Sequence, residues 1–172
     1  MKALGFFFEK KKMSSAKITE VSETFAKRSY GAYLAKRIPD SSGKGCFLVD
    51  KVPREDGYVR WSITKGSTKA AFGYETGERT FYLHHLAWYA TGHNMPEPVK
   101  QHLSHLCHNS ACFNPDHLVV ESPVLNNNRK NCRVLSSCPC PCKVTFWICE
   151  HTPKCVAPQN LLKQLEASKQ FL

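Results

Sequence analysis

From residue 104 to residue 155 the chain is crowded with cysteine, histidine, asparagine and proline, and it is poor in long apolar periods. A segment of that kind cannot hold itself together by burial. Tetrahedral metal sites built from Cys and His supply folding free energy outright, and they are the device such a segment calls for. The nine cysteines are an odd number, and six of them fall in the last third of the chain, near histidines. The opening stretch MKALGFFFEKKKM places its apolar patch before its lysines, the reverse of an export signal, and offers no small-residue cleavage site. An intracellular protein is expected, where thiols stay reduced and clustered Cys and His bind zinc rather than pairing as disulfides.

Spacing divides the ligands into two sets. Cys107, Cys112 and His117 follow the pattern C-x4-C-x4-H and make three ligands of one site. Cys46, the lone upstream cysteine, is assigned as the fourth, which would staple the upstream segment to the Cys-rich one. Cys149, His151 and Cys155 form a compact C-x-H-x3-C clip, with Cys132 as the natural fourth ligand. Cys138, Cys140 and Cys142, in CPCPC, stay open: one could replace Cys132 or Cys149, or all could be reduced surface thiols. Two structural zinc ions per chain are expected.

The charge balance is lopsided. Lys and Arg total 24 against 14 Asp and Glu, a net charge of +10. That suits a polyanion such as nucleic acid, or an anionic membrane surface. No run approaches the about 20 apolar residues of a spanning helix. The run Lys10, Lys11, Lys12 fits nuclear entry or a solvated tail, and nuclear residence is the expectation.

The 172 residues are read as one domain. Residues 1–13 read as a tail and 14–38 as a helix with Ile18, Val21 and Phe25 on one face, capped by Ser14 or Ser15 and weakened by Gly31. A turn at 39–45 precedes three strand-like runs at 46–52, 57–64 and 68–75, read as an antiparallel meander. Lys51, Arg54, Arg60, Lys65 and Lys69 are spread along it, which fits either a basic ribbon lying in a DNA groove or a solvated sheet face. An apolar helix is expected over 78–93, closed by Gly92, with the adjacent His84 and His85 as packing or surface residues. Residues 156–172 read as a short amphipathic helix or arm.

The run SHLCHN-x2-C-x-NP-x-HL-x2-E, followed by N-x2-R-x2-C and then C-x-H-x3-C, resembles the His-Cys box homing endonucleases of the ββα-metal, or His-Me finger, class. The resemblance covers about residues 46–155; it is densest over 104–132 and thin upstream, where Cys46 and the pair Arg60-Trp61 are its anchors. It implies an α+β, zinc-stabilised ββα-metal fold with an antiparallel DNA-binding sheet. It further implies magnesium-dependent, sequence-specific double-strand DNA cleavage by a homodimer. His105 falls on the general base, Asn126 on the magnesium ligand, with Asn127 and Asn128 beside it at nearly the same register, and Arg60 on the phosphate-contacting arginine. Phosphodiester hydrolysis needs an activated water, a Lewis acid and charge stabilisation, and these residue types supply them. The alternatives are a catalytically retired zinc protein that still binds DNA and, with nothing in the sequence to orient it, a CPCPC thiol acting as nucleophile.

Overall fold

The computed structural model describes residues 17–130, 132, 135–137, 141 and 145–157. The tail, Ser14, Ser15, Cys138, Cys140, Cys142 and nearly all of the C-terminal arm lie outside them. In chain order the elements are α1 (Glu23–Leu34), β1 (Arg37–Ile38), β2 (Leu48–Val49), β3 (Arg60–Ile63), α2 (Thr68–Phe72), β4 (Arg79–Tyr82), α3 (Leu83–Ala90), β5 (His102–His105), β6 (Leu118–Glu121), α4 (Pro123–Arg129), β7 (Leu135–Ser137) and β8 (Thr145–Trp147), with 3₁₀ turns at Ile18–Glu20, Lys65–Ser67 and Pro115–His117. The architecture is α+β, as expected, with short antiparallel ladders.

The strands do not form a meander over 46–75. They pair as four separate two-stranded ladders: β1 with β2, β3 with β4, β5 with β6, and β7 with β8. The expected third strand, 68–75, is the helix α2. Its TKAAF core carries two alanines, good helix formers, and Gly73 ends it in the left-handed conformation at φ 81°. Thr68 fixes the turn, its hydroxyl donating to the Lys65 carbonyl and accepting the Thr76 N–H. The true partner of β3 is β4, cut from the start of the expected 78–93 helix, with Arg60 opposite Tyr82 and Trp61 opposite Phe81. Thr, Phe and Tyr suit a pleated, half-buried surface better than a first helical turn.

The first helix also starts later than expected. Val21 and Ser22 are extended, and the Ser22 N–H donates to the Ala71 carbonyl at 2.7 Å. The Ser22 side chain then caps α1 by accepting the Phe25 N–H. Tertiary anchoring of Ser22 therefore separates a 3₁₀ turn at Ile18–Glu20 from the true helix, and Arg37–Ile38, also expected in the helix, form the strand β1.

The core gathers Ile18, Val21 and Tyr30 from the N-terminal region, Trp61 and Ile63 from β3, Leu83 and Leu86 from α3, and Phe113. Phe113 belongs to the Cys-rich segment and is 0% exposed. Its ring meets Tyr30 edge-on at 6.3 Å and Phe47 at 5.9 Å, and its N–H donates to the Phe47 carbonyl. Burying such a ring contributes about 1.5–3 kcal/mol. The Cys-rich segment is thus plugged into the main core beside Cys46. Beyond it, β5 and β6 pair in register from His102 opposite Glu121 to His105 opposite Leu118. Ser122 caps α4 by accepting the Leu125 N–H, with Pro123 at the first helical position. This β5–β6–α4 unit is the expected ββα motif. Among the described residues no helix is long and apolar enough to cross a membrane.

Candidate metal centres and active-site cleft

The structure brings Cys46, Cys107, Cys112 and His117 together, their ligand atoms within 4.8 Å of one another and all four residues buried. Asp40 prepares the approach of Cys46 by accepting backbone N–H bonds from Ser42, Lys44 and Cys46 at 2.9, 3.1 and 2.8 Å. Asn114 ties the two segments, its amide donating to the Gly45 carbonyl. The Lys44 ammonium donates to the Cys107 carbonyl at 2.9 Å. Zn–S and Zn–N bonds of about 2.3 and 2.05 Å at a tetrahedral angle set a ligand edge of about 3.6 Å. The Cys112 Sγ to His117 Nδ1 distance is 3.6 Å. Hydrogen bonding to Cys107 pushes the Cys46 thiol up, while the hydrogen bonds of Cys112 and Cys46 pull Cys107 down. Donor type, number and spacing all fit zinc.

Cys132, Cys149, His151 and Cys155 form the second cluster, again within 4.8 Å. The Cys149 Sγ to His151 Nδ1 distance is 3.6 Å, the same tetrahedral edge. Burial opposes ionisation of Cys149, but the Cys155 N–H and His151 outweigh it and bring the thiol down to about 6. Cys132 occupies the fourth position. Both sites are of the Cys3His zinc type.

Between them lies a cleft of about 210 Å³ whose walls include His105, Asn126, Tyr58, Ser104, Arg129 and Lys130. His105 sits at the end of β5, and its Nε2 lies 3.0 Å from the Cys112 carbonyl. A carbonyl only accepts, so Nε2 carries the proton and Nδ1 keeps its lone pair. Burial lowers the His105 pKa from its ordinary value, with Cys107 and the Cys112 carbonyl partly opposing. The ring is therefore neutral near pH 7, the form a base requires. Asn126 is the only one of the three adjacent asparagines on the cleft wall. Its Nδ2 donates to His102 Nδ1 at 3.1 Å, which leaves Oδ1 as its uncommitted oxygen. Among the described residues none on the cleft wall is a carboxylate.

Arg60 is not on that wall. Its guanidinium lies 3.7 Å above the Tyr82 ring centroid and is paired with Asp56. It lines a neighbouring open groove of about 820 Å³ with Pro53, Arg54, Glu55 and Asp56. Tyr58 stands between the two, 5.1 Å from the Tyr82 ring and 5.9 Å from the His105 ring. Of the other basic residues expected on a single ribbon, Lys51 donates to the Arg60 carbonyl, whereas Lys65 lies in a 3₁₀ turn and Lys69 in α2. They do not share one sheet, because the strand expected to carry Lys69 is helical.

Sequence reasoning passed over Tyr58, Arg129 and the depth of the histidine cluster. His84 is 4% exposed, its ring 4.7 Å from that of His105 and 4.5 Å from that of His85. Arg129 stands in the N-x2-R-x2-C run but received no role there.

Residues 45–167 match the family described as the zinc-binding loop region of homing endonuclease. No curated protein matches the chain.

Proposed function

The chain belongs to the family of homing-endonuclease zinc-binding loops, and on that premise we propose that it is a magnesium-dependent, sequence-specific double-strand DNA endonuclease acting as a nuclear homodimer. The observation that carries this reading is the shared cleft of His105 and Asn126, with the His105 ring oriented by the Cys112 carbonyl. In that orientation Nδ1 takes a proton from a water as its oxygen attacks phosphorus and the bond to the leaving sugar oxygen breaks. A magnesium ion supplies Lewis acidity at the phosphate when bound. Asn126 Oδ1 is the protein oxygen suited to it. A single neutral ligand is a weak magnesium site, and DNA phosphate oxygens would complete it. Arg60 stabilises phosphate charge after exchanging Asp56 for DNA. Arg54, Lys51, Lys65 and Lys69 add sequence-independent phosphate attraction, so binding weakens with salt.

A second reading is favoured by one observation, the pairing of Arg60 with Asp56 outside the cleft. It is a zinc-held DNA-binding protein that no longer cleaves. Incubating the protein with supercoiled plasmids carrying random inserts, with magnesium or with chelator, separates the two. Magnesium-dependent linear product supports the nuclease; DNA retention with no nick at any magnesium concentration supports the retired form.

A further inference from the structure

Arg129 is 2% exposed, and its Nε and Nη1 are both committed within the fold. Nε donates to both Glu121 oxygens, at 2.9 and 2.8 Å, which fixes the end of β6. Nη1 donates to the Pro153 carbonyl at 2.9 Å and reaches the Cys155 sulfur at 3.4 Å. The Arg129 carbonyl accepts the Cys132 N–H at 2.9 Å. Two ligands of the second cluster therefore hold this one residue, one through its side chain and one through its backbone. Arg129 is also the last residue of α4, three residues after Asn126, and both stand on the cleft wall.

We propose that Arg129 is a positioning residue that couples the second zinc site to the cleft by setting where α4 presents Asn126. A Cys3His zinc carries a net negative charge, since three thiolates exceed one divalent ion. The fixed guanidinium beside Cys155 offsets that charge, and its planar fork simultaneously pins Glu121. A filled second site holds Arg129 in this position, and Arg129 holds the C-terminal end of α4 against β6. With the site emptied, the Cys155 and Pro153 anchors loosen, the guanidinium follows, and Asn126 loses its fixed place. The inference draws on the proposed magnesium role of Asn126 for its functional consequence, but the coupling itself does not depend on cleavage.

The test uses full-length protein and the variants Arg129→Lys and Arg129→Gln. Lys keeps the charge but has no fork to reach Glu121, Pro153 and Cys155 together. Zinc affinity of the second site, read by chelator competition, should fall about 10–100-fold in both. Amide hydrogen exchange across 126–130 should quicken in Arg129→Lys even at zinc concentrations that refill the site. The magnesium concentration for half-maximal plasmid cleavage should rise several-fold under those conditions, while DNA retention without magnesium stays within twofold. Parent-like zinc affinity, or exchange and magnesium dependence that return to parent values once zinc is restored, would overturn the coupling. If Arg129→Gln does not fold, Glu121→Gln, which weakens the same fork, must quicken exchange at 126–130, and unchanged exchange there rejects the proposal. A parent protein that never cleaves refutes the nuclease reading alone, because the zinc and exchange measurements still decide the coupling.

Discussion

The Nε2 of His105 donates to the backbone carbonyl of Cys112, so the ring assigned to proton transfer is held by a residue assigned to zinc. The first metal centre and the proposed chemistry are joined by one hydrogen bond. The join is one-sided, since His105 supplies no atom to the Cys46, Cys107, Cys112, His117 cluster. Replacing His105 with Ala should therefore lower cleavage by about 10²–10⁴-fold, the usual worth of a general base. Zinc content by elemental analysis and DNA retention in a gel-shift assay should stay at parent values. Loss of zinc on this substitution would make His105 structural. Parent-like cleavage would move the base elsewhere, with His102 and His108 next to test.

Cys46 lies 61 positions before Cys107, yet the two meet in one buried cluster. A zinc ion held there would close a long loop beside the contact of Phe113 with Phe47. Purified chains should contain two zinc ions. Cys46→Ser should leave one, with the second cluster intact, and should shift thermal unfolding down strongly because metal binding at such sites is folding free energy. Cys149→Ser should likewise leave one. A Cys46→Ser chain that keeps two zinc ions would mean that another group completes the first site.

These ligands could be read from the sequence because most of them are local: C-x4-C-x4-H and C-x-H-x3-C place three donors within one turn-rich segment each. Cys46 was legible by elimination. The ββα unit was legible only as an implication of the family resemblance carried by residues 104–132, since no local periodicity there marked a strand followed by a helix. The pairing of β3 with β4 was not, since no local pattern tells a strand which distant partner it takes. The TKAAF helix was missed because apolar content in a short run does not distinguish strand from helix, and Gly73 was read inside the strand run 68–75 rather than as a helix end. The contacts of His84 with His105, and of Arg129 with Cys155, join segments far apart in the chain. Only packing reveals them.

His85 gives a pH prediction with a definite sign. Burial, followed by the charges of His105 and Arg60, lowers its pKa from 6.5 to about 4 in the folded chain. Burial also lowers His84 well below its ordinary value. The unfolded chain then binds more protons than the folded one between these limits, so stability rises with pH in this window. The contribution is fully present above about pH 6.5 and is lost progressively as pH falls through about 4. For His85 it amounts to roughly 3–4 kcal/mol at about 1.36 kcal/mol per pKa unit. Thermal melts from pH 7.5 downward should show a shallower loss for His85→Gln than for the parent. Equal slopes would mean that acid release of zinc dominates and His85 adds nothing measurable.

Arg60 is paired with Asp56 and stacked over Tyr82, so it must exchange a carboxylate for a phosphate before it acts. The pair is partly exposed, with side-chain accessibilities of 20% for Arg60 and 39% for Asp56, and such pairs are worth about 0.2–1 kcal/mol. Removing that competitor should help rather than harm. Asp56→Asn keeps the shape of the turn, where Asp56 Oδ1 also accepts the Tyr58 N–H, while deleting the charge. DNA binding and cleavage should rise by up to about fivefold, the equivalent of about 1 kcal/mol at 1.4 kcal/mol per tenfold. The gain should be largest at low salt, where phosphate attraction is strongest. Arg60→Ala should lower cleavage sharply, and in the double variant the gain from Asp56→Asn should vanish. If Asp56→Asn instead lowers cleavage as much as Arg60→Ala does, Asp56 is not a competitor for the guanidinium. It would then be the group that aims it, and the observed pairing would be the working arrangement.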